Sequence, residues 1–331
     1  MKIKLSFCIP TYNRTHLIEI SINSILSSIK NYSNNLNYNF ELIIIDNNST
    51  DSTEEVINKF IILNRTVNIK IIYIKNSINI GASKNFINSS KYANGDYIWF
   101  FSDDDYMIES AVSNFFKIIS ANYTFIFVTR LLADNELIII KKHKPQPNIN
   151  EWDAIYSSGF LMIKKMGLEI TSVLGFYSSI IIIKEIWESS KMAINDNSEF
   201  GYLKILLAAI NNKSCFIIKE PGVICRLNYR GFKDKDSIVW LDEYIATFLF
   251  AKNIGYDEKT CNEMIESIFK SHSKLFVIDK AKGVRRGNLF NTKNKLGYQG
   301  KYYDKWFLIS LIPQFILRPI YRVLYRFYKR K

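Results

Sequence analysis

The stretch Gly95-Asp96-Tyr97-Ile98-Trp99-Phe100-Phe101-Ser102-Asp103-Asp104-Asp105 places an apolar run of strand character directly before three consecutive carboxylates. Neighbouring carboxylates resist joint ionisation, so three of them at a strand end favour a hard divalent cation such as Mg²⁺ or Mn²⁺. The alternative is that an aspartate is the N-cap of a helix predicted over 107–119. Capping accounts for one aspartate and not for three, so the sequence favours a metal or ligand site here.

The chain before this stretch alternates between strand and helix patterns. Strands are predicted at 5–9, where Pro10 should end the strand because proline cannot donate to a ladder, and at 40–45, 69–74 and 97–101. The first helix has an apolar stripe formed by Ile18, Ile22, Ile25, Leu26 and Ile29. The second begins at capping-box signals in 51–55, and the third begins at Gly81 and reaches Tyr92. This alternation predicts an α/β fold with a mostly parallel sheet covered by helices on both faces.

Polar clusters follow three of these strands. They are Thr11-Tyr12-Asn13-Arg14, Asp46-Asn47-Asn48-Ser49 and Ser102-Asp103-Asp104-Asp105. Ligands of such sheets bind outside the carboxyl ends of the strands. The three clusters are therefore expected to meet in one crevice.

The second half of the chain is less regular. Strands are predicted at 125–128, 137–140, 178–183 and 215–218, a loop at 141–147 and a helix at 200–210. Helices are predicted from Ile238 onward, with an interruption by a polar segment at 280–300.

Composition narrows the class of protein. The chain has 331 residues, of which 48% are apolar and 23% charged, which is typical of a globular protein longer than one average domain. Its four cysteines are far apart, which predicts reduced thiols and neither a disulfide framework nor a zinc site. A strand is predicted almost at the first residue, without the pattern of a signal peptide, so a cytoplasmic location is expected.

The net charge of +13 is concentrated at the C-terminal end. Residues 301–331 hold eight Lys or Arg and a single acid, Asp304, which is an excess of 8 − 1 = +7. Together with 15% aromatic residues, the basic balance raises nucleic-acid binding as an alternative function. The chain has no nucleic-acid-binding motif and its predicted crevice is acidic, so no nucleic-acid partner is expected.

The ordered motifs resemble those of a known family. They are Pro10-Thr11-Tyr12-Asn13-Arg14, then Asp46 to Thr53, then Asn79-Ile80-Gly81, then Gly95-Asp96-Tyr97 running into Asp103-Asp104-Asp105. In this order they resemble bacterial family 2 glycosyltransferases of the GT-A fold, and most of all the abequosyltransferase type of O-antigen synthesis. The resemblance extends from about residue 3 to about residue 230.

The resemblance implies roles for individual residues. It places at the nucleotide-sugar site Pro10, Thr11, Tyr12, Arg14, Asp46, Asn48 and Gly81. For the base, we expect Tyr12 to stack and Asp46 to accept a hydrogen bond from a ring N–H, which suits uracil. The alternative for Asp46 is a turn residue after a strand.

The acidic cluster corresponds to the family's DXD element in one of two registers. Counted from Gly95, the usual first aspartate falls on Ser102 and the metal-binding one on Asp104. Counted from the carboxylates alone, the pair is Asp103 and Asp105. We favour Asp104 as metal ligand, with Asp105 as a second candidate and Asp103 near the ribose. A divalent metal held there would bridge the diphosphate and neutralise the leaving group.

Transfer to a hydroxyl also needs a base, for which carboxylates are the usual groups. Asp196 and Glu199 lie where the family has its acceptor-side acid, and Glu199 is favoured. The alternative is that both belong to the start of the following helix, as cap and first-turn acid. Arg226 is a candidate diphosphate contact, since guanidinium binds phosphate oxygens in pairs, or else a surface arginine.

The C-terminal end predicts a membrane-surface helix. Residues 306–317 are mainly apolar but too few to span a bilayer, and Arg318, Arg322, Arg326 and Arg330 follow at every fourth position. Such a helix is expected to lie among the headgroups of anionic lipids, with interleaved aromatic side chains facing the membrane. The alternative is a helix packed on the core with solvated arginines.

These observations predict three segments: a GT-A domain at 1–235, a helical extension at 236–300 and a basic amphipathic tail at 301–331. Within the domain, 1–106 would bind the nucleotide-sugar and 107–235 the acceptor. The resemblance implies an inverting, metal-dependent transferase at the cytoplasmic face of the bacterial membrane, with a nucleotide-sugar donor and a lipid-linked saccharide acceptor. The departure at Ser102 leaves a catalytically inactive glycan- or nucleotide-binding relative as the alternative.

Overall fold

The structure is a computed structural model that describes residues 5–32, 39–64, 69–140, 154–169, 174–194, 196, 198–227 and 236–329, with side chains of the last helix as far as Val323. The loop predicted at 141–147 lies outside the described residues. The chain divides into two compact units. The first comprises Met1–Asn197 and Gly201–Tyr229, and the second comprises Ser198–Phe200 and Arg230–Lys331.

The first unit is built on a nine-stranded sheet. In chain order its strands are β1 Leu5–Thr11, β2 Phe40–Asp46, β3 Lys70–Lys75, β4 Tyr97–Phe100, β5 Tyr106–Met107, β6 Phe125–Ala133, β7 Ile155–Tyr156, β8 Ile180–Ile183 and β9 Cys215–Arg226. In space the order is β3-β2-β1-β4-β8-β6-β9-β5, and β7 also pairs with β9. The first four strands are parallel, as predicted. The sheet as a whole is mixed, because β8 runs antiparallel to both β4 and β6.

Seven helices are described in this unit: α1 Ile18–Tyr32, α2 Thr53–Leu63, α3 Ala82–Ser89, α4 Ala111–Ile118, α5 Gly159–Met166, α6 Lys184–Ile194 and α7 Gly201–Ile210. They cover both faces of the sheet. Successive strand residues point to opposite sides, so both faces have side chains that pack against helices. On one face Phe7 and Trp99 stack at 5.6 Å in a core that includes the apolar stripe of α1. On the other face Phe100 packs against Phe86 of α3 and Trp187 of α6.

Strand β1 continues through Pro10 to Thr11, so the prediction that Pro10 ends it is wrong. In a parallel ladder, alternate residues bond to alternate neighbouring strands. The carbonyl of Cys8 accepts from Phe101 N at 2.9 Å, so the ring nitrogen of Pro10 faces the same side, where β4 has already ended. The missing N–H therefore leaves no gap in the ladder.

The helix predicted from Met107 begins only at Ala111. Tyr106 and Met107 instead form β5, in which Met107 lies opposite Val223 and its N–H donates to Ser24 Oγ at 2.9 Å. These tertiary hydrogen bonds override the local helical pattern. The N-cap of α4 is Ser110, so none of the three aspartates caps it.

Three other local predictions differ from the structure. The capping box at 51–55 does not form, because the Ser52 side chain makes no cap bond and Asp51 Oδ1 accepts from Thr53 N at 3.0 Å. The strand predicted at 137–140 is reduced to one bridge, between Ala133 and Ile139. Strands β6 and β9 are longer than predicted because they pair with each other across a register shift.

The second unit is helical, as predicted from Ile238 onward. Its first helix passes from Asp236–Ile238 through a π-helical segment Val239–Tyr244 into α8 Ile245–Asn253, followed by α9 Glu258–Lys282, α10 Leu289–Lys295, α11 Lys305–Leu311 and α12 Gln314–Lys329. The predicted polar interruption therefore contains a helix, α10. Among the described helices, none is long and apolar enough to cross a membrane.

Candidate active site

The loop after β1 is bound to the loop after β2 by several hydrogen bonds. Asn13, whose φ is 55°, donates its N–H to Ser49 Oγ at 2.9 Å and accepts from Thr50 N at 2.9 Å. The N–H of Arg14 donates to Thr53 Oγ1 at 2.8 Å. The predicted site residues on this loop differ in access to solvent. Thr11 is buried, whereas Tyr12 is 40% exposed, and stacking of its ring on a base stays a prediction.

Asp46 ends β2 and is fully buried. Its Oδ1 accepts from the N–H and the hydroxyl of Ser49, at 2.8 and 2.6 Å, and its Oδ2 accepts from Tyr73 OH at 2.8 Å. Burial and the Asp46 carboxylate raise the pKa of Tyr73, which therefore stays protonated as a donor. The Asp46 carboxylate therefore holds the loop after β2 through Ser49. Recognition of the base by Asp46 stays a prediction.

Asn47 joins the loops after β1, β2 and β3, a role that the sequence analysis missed. Its N–H donates to Thr11 O at 2.8 Å and its Nδ2 to Asn79 Oδ1 at 2.9 Å, while its Oδ1 accepts from Ile80 N at 2.9 Å. The sequence feature that could have indicated this role is the position of Asn47 at the end of an apolar strand, next to Asp46.

Two predicted site residues have left-handed backbones. Asn48 has φ 65°, which asparagine tolerates better than most residues. Gly81 has φ 89° and ψ 154°, a conformation essentially restricted to glycine, and its N–H donates to Asn79 Oδ1 at 2.9 Å. The structure thus explains both residue types by the loop geometry, and their contact with a nucleotide-sugar stays a prediction.

The acidic loop after β4 brings Asp103 against the loop after β1. Arg14 Nε lies 3.1 Å from Asp103 Oδ1, so the first and third polar clusters meet as predicted from the strand ends. Asp103 is buried, and burial raises its pKa to about 6 although the Arg14 guanidinium opposes the shift.

Asp105 is held by protein groups on both oxygens. Its Oδ2 accepts from Ser178 Oγ at 2.6 Å and its Oδ1 from Arg226 N at 3.3 Å. Burial, and then the charge of Asp104, raise the pKa of Asp105 well above its usual range. Because both oxygens of Asp105 already accept hydrogen bonds from the protein, its role as second metal ligand stays a prediction.

Asp104 keeps one carboxylate oxygen available. Its Oδ1 accepts from Ser102 Oγ at 2.5 Å, and its Oδ2 has no hydrogen-bond partner within the described part of the chain. Among the described residues, no group of three or more His, Cys, Asp or Glu side chains is arranged to hold a metal ion. A metal here would therefore take one or two ligands from the protein and the rest from phosphates and water, as Mg²⁺ commonly does.

Arg226 positions the acidic loop. Its Nε donates to Asp104 O at 2.7 Å and its Nη1 to Asn135 O, and the residue is buried. These bonds use guanidinium donors that the predicted diphosphate contact would need. Ser178 acts on the same loop, because its hydroxyl accepts from Ser102 N at 2.8 Å as well as donating to Asp105.

The two candidate bases have different surroundings. Asp196 Oδ2 forms an ion pair with Lys204 Nζ at 2.5 Å. The N–H of Glu199 donates to Glu243 Oε2 at 2.6 Å, but the Glu199 carboxylate has no hydrogen bond or ion pair with any described residue. A proton acceptor needs an available oxygen, so this difference favours Glu199. Their neighbours Asn195 and Asn197 lie outside the described residues.

Comparison with known proteins identifies the family. The profile of Glycosyl transferase family 2 matches residues 6–175, just over half of the chain. Abequosyltransferase RfbV of Salmonella typhimurium is 29% identical over 266 residues, which are 76% of this chain and 77% of the relative. The Escherichia coli UDP-Glc:alpha-D-GlcNAc-diphosphoundecaprenol beta-1,3-glucosyltransferase WfaP is 30% identical over 146 residues, which are 44% of this chain and 53% of the relative.

Solved structures share the fold. Staphylococcus aureus TarS 1–349 in complex with UDP-GlcNAc matches 97% of this chain and 86% of its own, with a TM-score of 0.61 and 13% identity. Mannosyltransferase PcManGT from Pyrobaculum calidifontis, in complex with GDP-Man and Mn²⁺, matches 97% of this chain and 87% of its own, with a TM-score of 0.53 and 12% identity. The chain belongs to Glycosyl transferase family 2 and is a glycosyltransferase with the GT-A fold.

Proposed function

We propose that this glycosyltransferase moves a sugar, with inversion, from a nucleotide-sugar to a lipid-linked saccharide during the synthesis of a bacterial surface polysaccharide. Binding of the nucleotide-sugar donor is supported by the acidic loop after β4, where Asp104 keeps one carboxylate oxygen available. The ion pair of Arg14 with Asp103 joins this loop to the loop after β1. The acceptor class is supported by the relative WfaP, whose name specifies a diphosphoundecaprenol-linked substrate. With such an acceptor, the enzyme would work at the cytoplasmic face of the membrane.

We further propose that Asp104 holds Mg²⁺ or Mn²⁺. Asp104 suits such an ion because one of its carboxylate oxygens has no hydrogen bond within the described part of the chain. The neighbouring side chains of the loop also offer only oxygen atoms, which Mg²⁺ and Mn²⁺ prefer as ligands. The presence of Mn²⁺ with GDP-Man in PcManGT supports the same assignment. Such a metal would neutralise the diphosphate as it leaves.

The chain's own residues would bind and orient the substrates. Tyr12 offers an exposed ring for the base, and Arg14 keeps Asp103 in place for a contact with the ribose. In the transfer, the acceptor oxygen bonds to the anomeric carbon while the bond from that carbon to the diphosphate oxygen breaks. The hydroxyl proton passes to a carboxylate, for which Glu199 is the favoured candidate.

The test is nucleotide-sugar hydrolysis by the purified chain. CDP-, UDP-, GDP- and dTDP-sugars are first compared by thermal stabilisation with Mn²⁺, since a ligand of the folded state raises Tm. With the selected donor, we expect Asp104→Asn to lower metal-dependent hydrolysis at least about 100-fold. Glu55→Gln, which removes an exposed carboxylate of α2, is the control and should keep normal hydrolysis.

Two results would count against this function. Hydrolysis that survives both chelation and Asp104→Asn would contradict the metal role. Donor-induced stabilisation without turnover, for any donor and with lipid-linked saccharide present, would favour the inactive binding relative. For the base, normal transfer by both Glu199→Gln and Asp196→Asn would contradict its assignment to this segment.

A further inference from the structure

The C-terminal helix α12 is built into the second unit through one of its sides. Leu317 is buried against Val277 and Ala281 of α9, and Tyr321 packs on the same cluster. The preceding helix α11 is also bound to α9, because the buried Lys280 Nζ of α9 donates to Ser310 O of α11 at 2.7 Å. The helix is therefore part of a folded unit, as in the packed-helix alternative.

A second side of α12 is exposed over the residues whose side chains are described. At 100° per residue, Ile316, Ile320 and Val323 share a sector away from Leu317, and all three are exposed. Phe315 lies outside this sector, about 20° from Arg322 around the helix, and is 77% exposed. A soluble surface rarely gathers so many large apolar side chains on one helix without a partner for them.

A third sector of α12 is basic and borders a cavity. The cavity is an open depression of about 550 Å³ on the helix surface, and its described lining residues are Gln314, Phe315, Arg318, Pro319 and Arg322. Both arginines are exposed, and within the described part of the chain no carboxylate lines the cavity or forms an ion pair with either guanidinium. The cavity therefore suits an anion, and a phosphate matches guanidinium donors well.

We propose that this cavity binds the phosphate headgroup of an anionic phospholipid while Phe315, Ile316, Ile320 and Val323 enter the acyl region. The adjacency of a basic cavity and an apolar sector selects a lipid over a free phosphate, because only a lipid satisfies both. The inference deepens the proposed function by naming the surface that meets the membrane of the acceptor. Because Leu317 already packs α12 on α9, docking requires no folding of α12.

The test is cosedimentation of the full chain with vesicles of phosphatidylcholine, alone or mixed with an equal amount of phosphatidylglycerol. We expect binding to the mixed vesicles only. Each arginine near an anionic surface contributes about fivefold in affinity, so Arg318→Gln with Arg322→Gln should weaken binding about 30-fold. The matched control is Lys259→Gln with Lys274→Gln, which removes two exposed charges of α9 and should keep binding within about twofold.

The apolar half of the site is tested by Phe315→Ser with Ile320→Ser. We expect a loss of at least about tenfold, because apolar area no longer leaves water on docking. Circular dichroism and gel filtration check that each variant is folded. Equal weakening by the arginine variant and the α9 control would overturn the headgroup site and indicate a diffuse charge effect. Unchanged binding of the serine variant would overturn the lipid assignment and indicate a site for free phosphate.

Failure of this inference is distinguishable from failure of the proposed function. Nucleotide-sugar hydrolysis without vesicles should be the same for the parent chain and the Arg318→Gln, Arg322→Gln variant. Vesicle binding without hydrolysis would leave the docking surface standing and contradict the enzyme assignment. Hydrolysis without vesicle binding would do the reverse.

Discussion

At the scale of single residues, buried polar side chains hold the strand-end loops in place. Asn47 connects the loops after three neighbouring strands through Thr11, Asn79 and Ile80. The loops carry the residues predicted to bind the donor, so the order of the site depends on side chains that need not touch a substrate. Arg226 and Ser178 do the same for the acidic loop.

Replacing Asn47 by alanine should therefore destabilise the first unit. The change removes the part-buried hydrogen bonds of Asn47 with Asn76, Asn79 and Ile80, and each such bond contributes about 0.5–1.5 kcal/mol. We expect the free energy of unfolding to fall by about 2–4 kcal/mol, measured by urea titration. Asn114→Ala is the control, since it removes only an exposed bond to Lys117 and should change stability by less than about 0.5 kcal/mol.

Arg226→Lys should impair the acidic loop without removing the charge. Lysine lacks the planar fork with which Arg226 contacts the carbonyls of Asp104 and Asn135. We expect the Mn²⁺ concentration for half-maximal hydrolysis to rise about tenfold, because Asp104 is no longer held in register. An unchanged Mn²⁺ dependence, with Arg286→Lys as the exposed control, would contradict the positioning role.

At the scale of elements, the helices and strands that depend on burial of their own residues could be predicted from the sequence. Those that depend on pairing with a strand far along the chain could not. The apolar stripe of α1 and the buried run of β2 agree with the structure because each is decided by burial of its own residues. The helical pattern after Met107 failed because β9 pairs with Tyr106 and Met107. Ser178 was missed for the same kind of reason. It reaches the acidic loop because β8 runs antiparallel to β4, which no local pattern reveals.

Helix α1 offers a matched pair of isoleucines. Ile25 is fully buried in the core, whereas Ile20 on the same helix is 40% exposed. Truncating a buried isoleucine leaves a cavity, so we expect Ile25→Ala to lower the free energy of unfolding by about 2–5 kcal/mol. Ile20→Ala should change it by no more than about 0.5 kcal/mol, measured by the same urea titration. Similar values for the two variants would contradict the orientation of α1.

At the scale of the whole molecule, the sequence locates the excess charge but not its surroundings. The spacing of arginines after Pro313 predicts an amphipathic helix, and the structure contains one in α12. Which of its sides packs on α9 depends on Leu317 and Tyr321 meeting a cluster almost forty residues earlier in the chain. The cavity beside Arg318 and Arg322 is likewise a product of tertiary packing.

The cysteines provide a test that covers both units. Cys8 and Cys215 are buried in the first unit and Cys261 in the second. Burial raises the pKa of Cys8 and of Cys215, and it raises the pKa of Cys261 to about 11. The thiolate is the reactive form, so all three should be protected from iodoacetamide in the native protein.

The pH dependence has a definite sign. Raising the pH from 7 to 9 crosses the pKa of an unfolded thiol, about 8.5, but stays below that of the buried thiols. Alkylation of the protein unfolded in guanidinium should therefore accelerate over this range, while native Cys8, Cys215 and Cys261 stay unlabelled, as followed by peptide mass spectrometry. Cys225 is only half-buried, but burial and then the charge of Asp105 raise its pKa as well, so it should also stay largely unlabelled in the native state. Rapid native labelling of Cys261 alone would show that the second unit opens in solution and would contradict a fixed docking surface on α12.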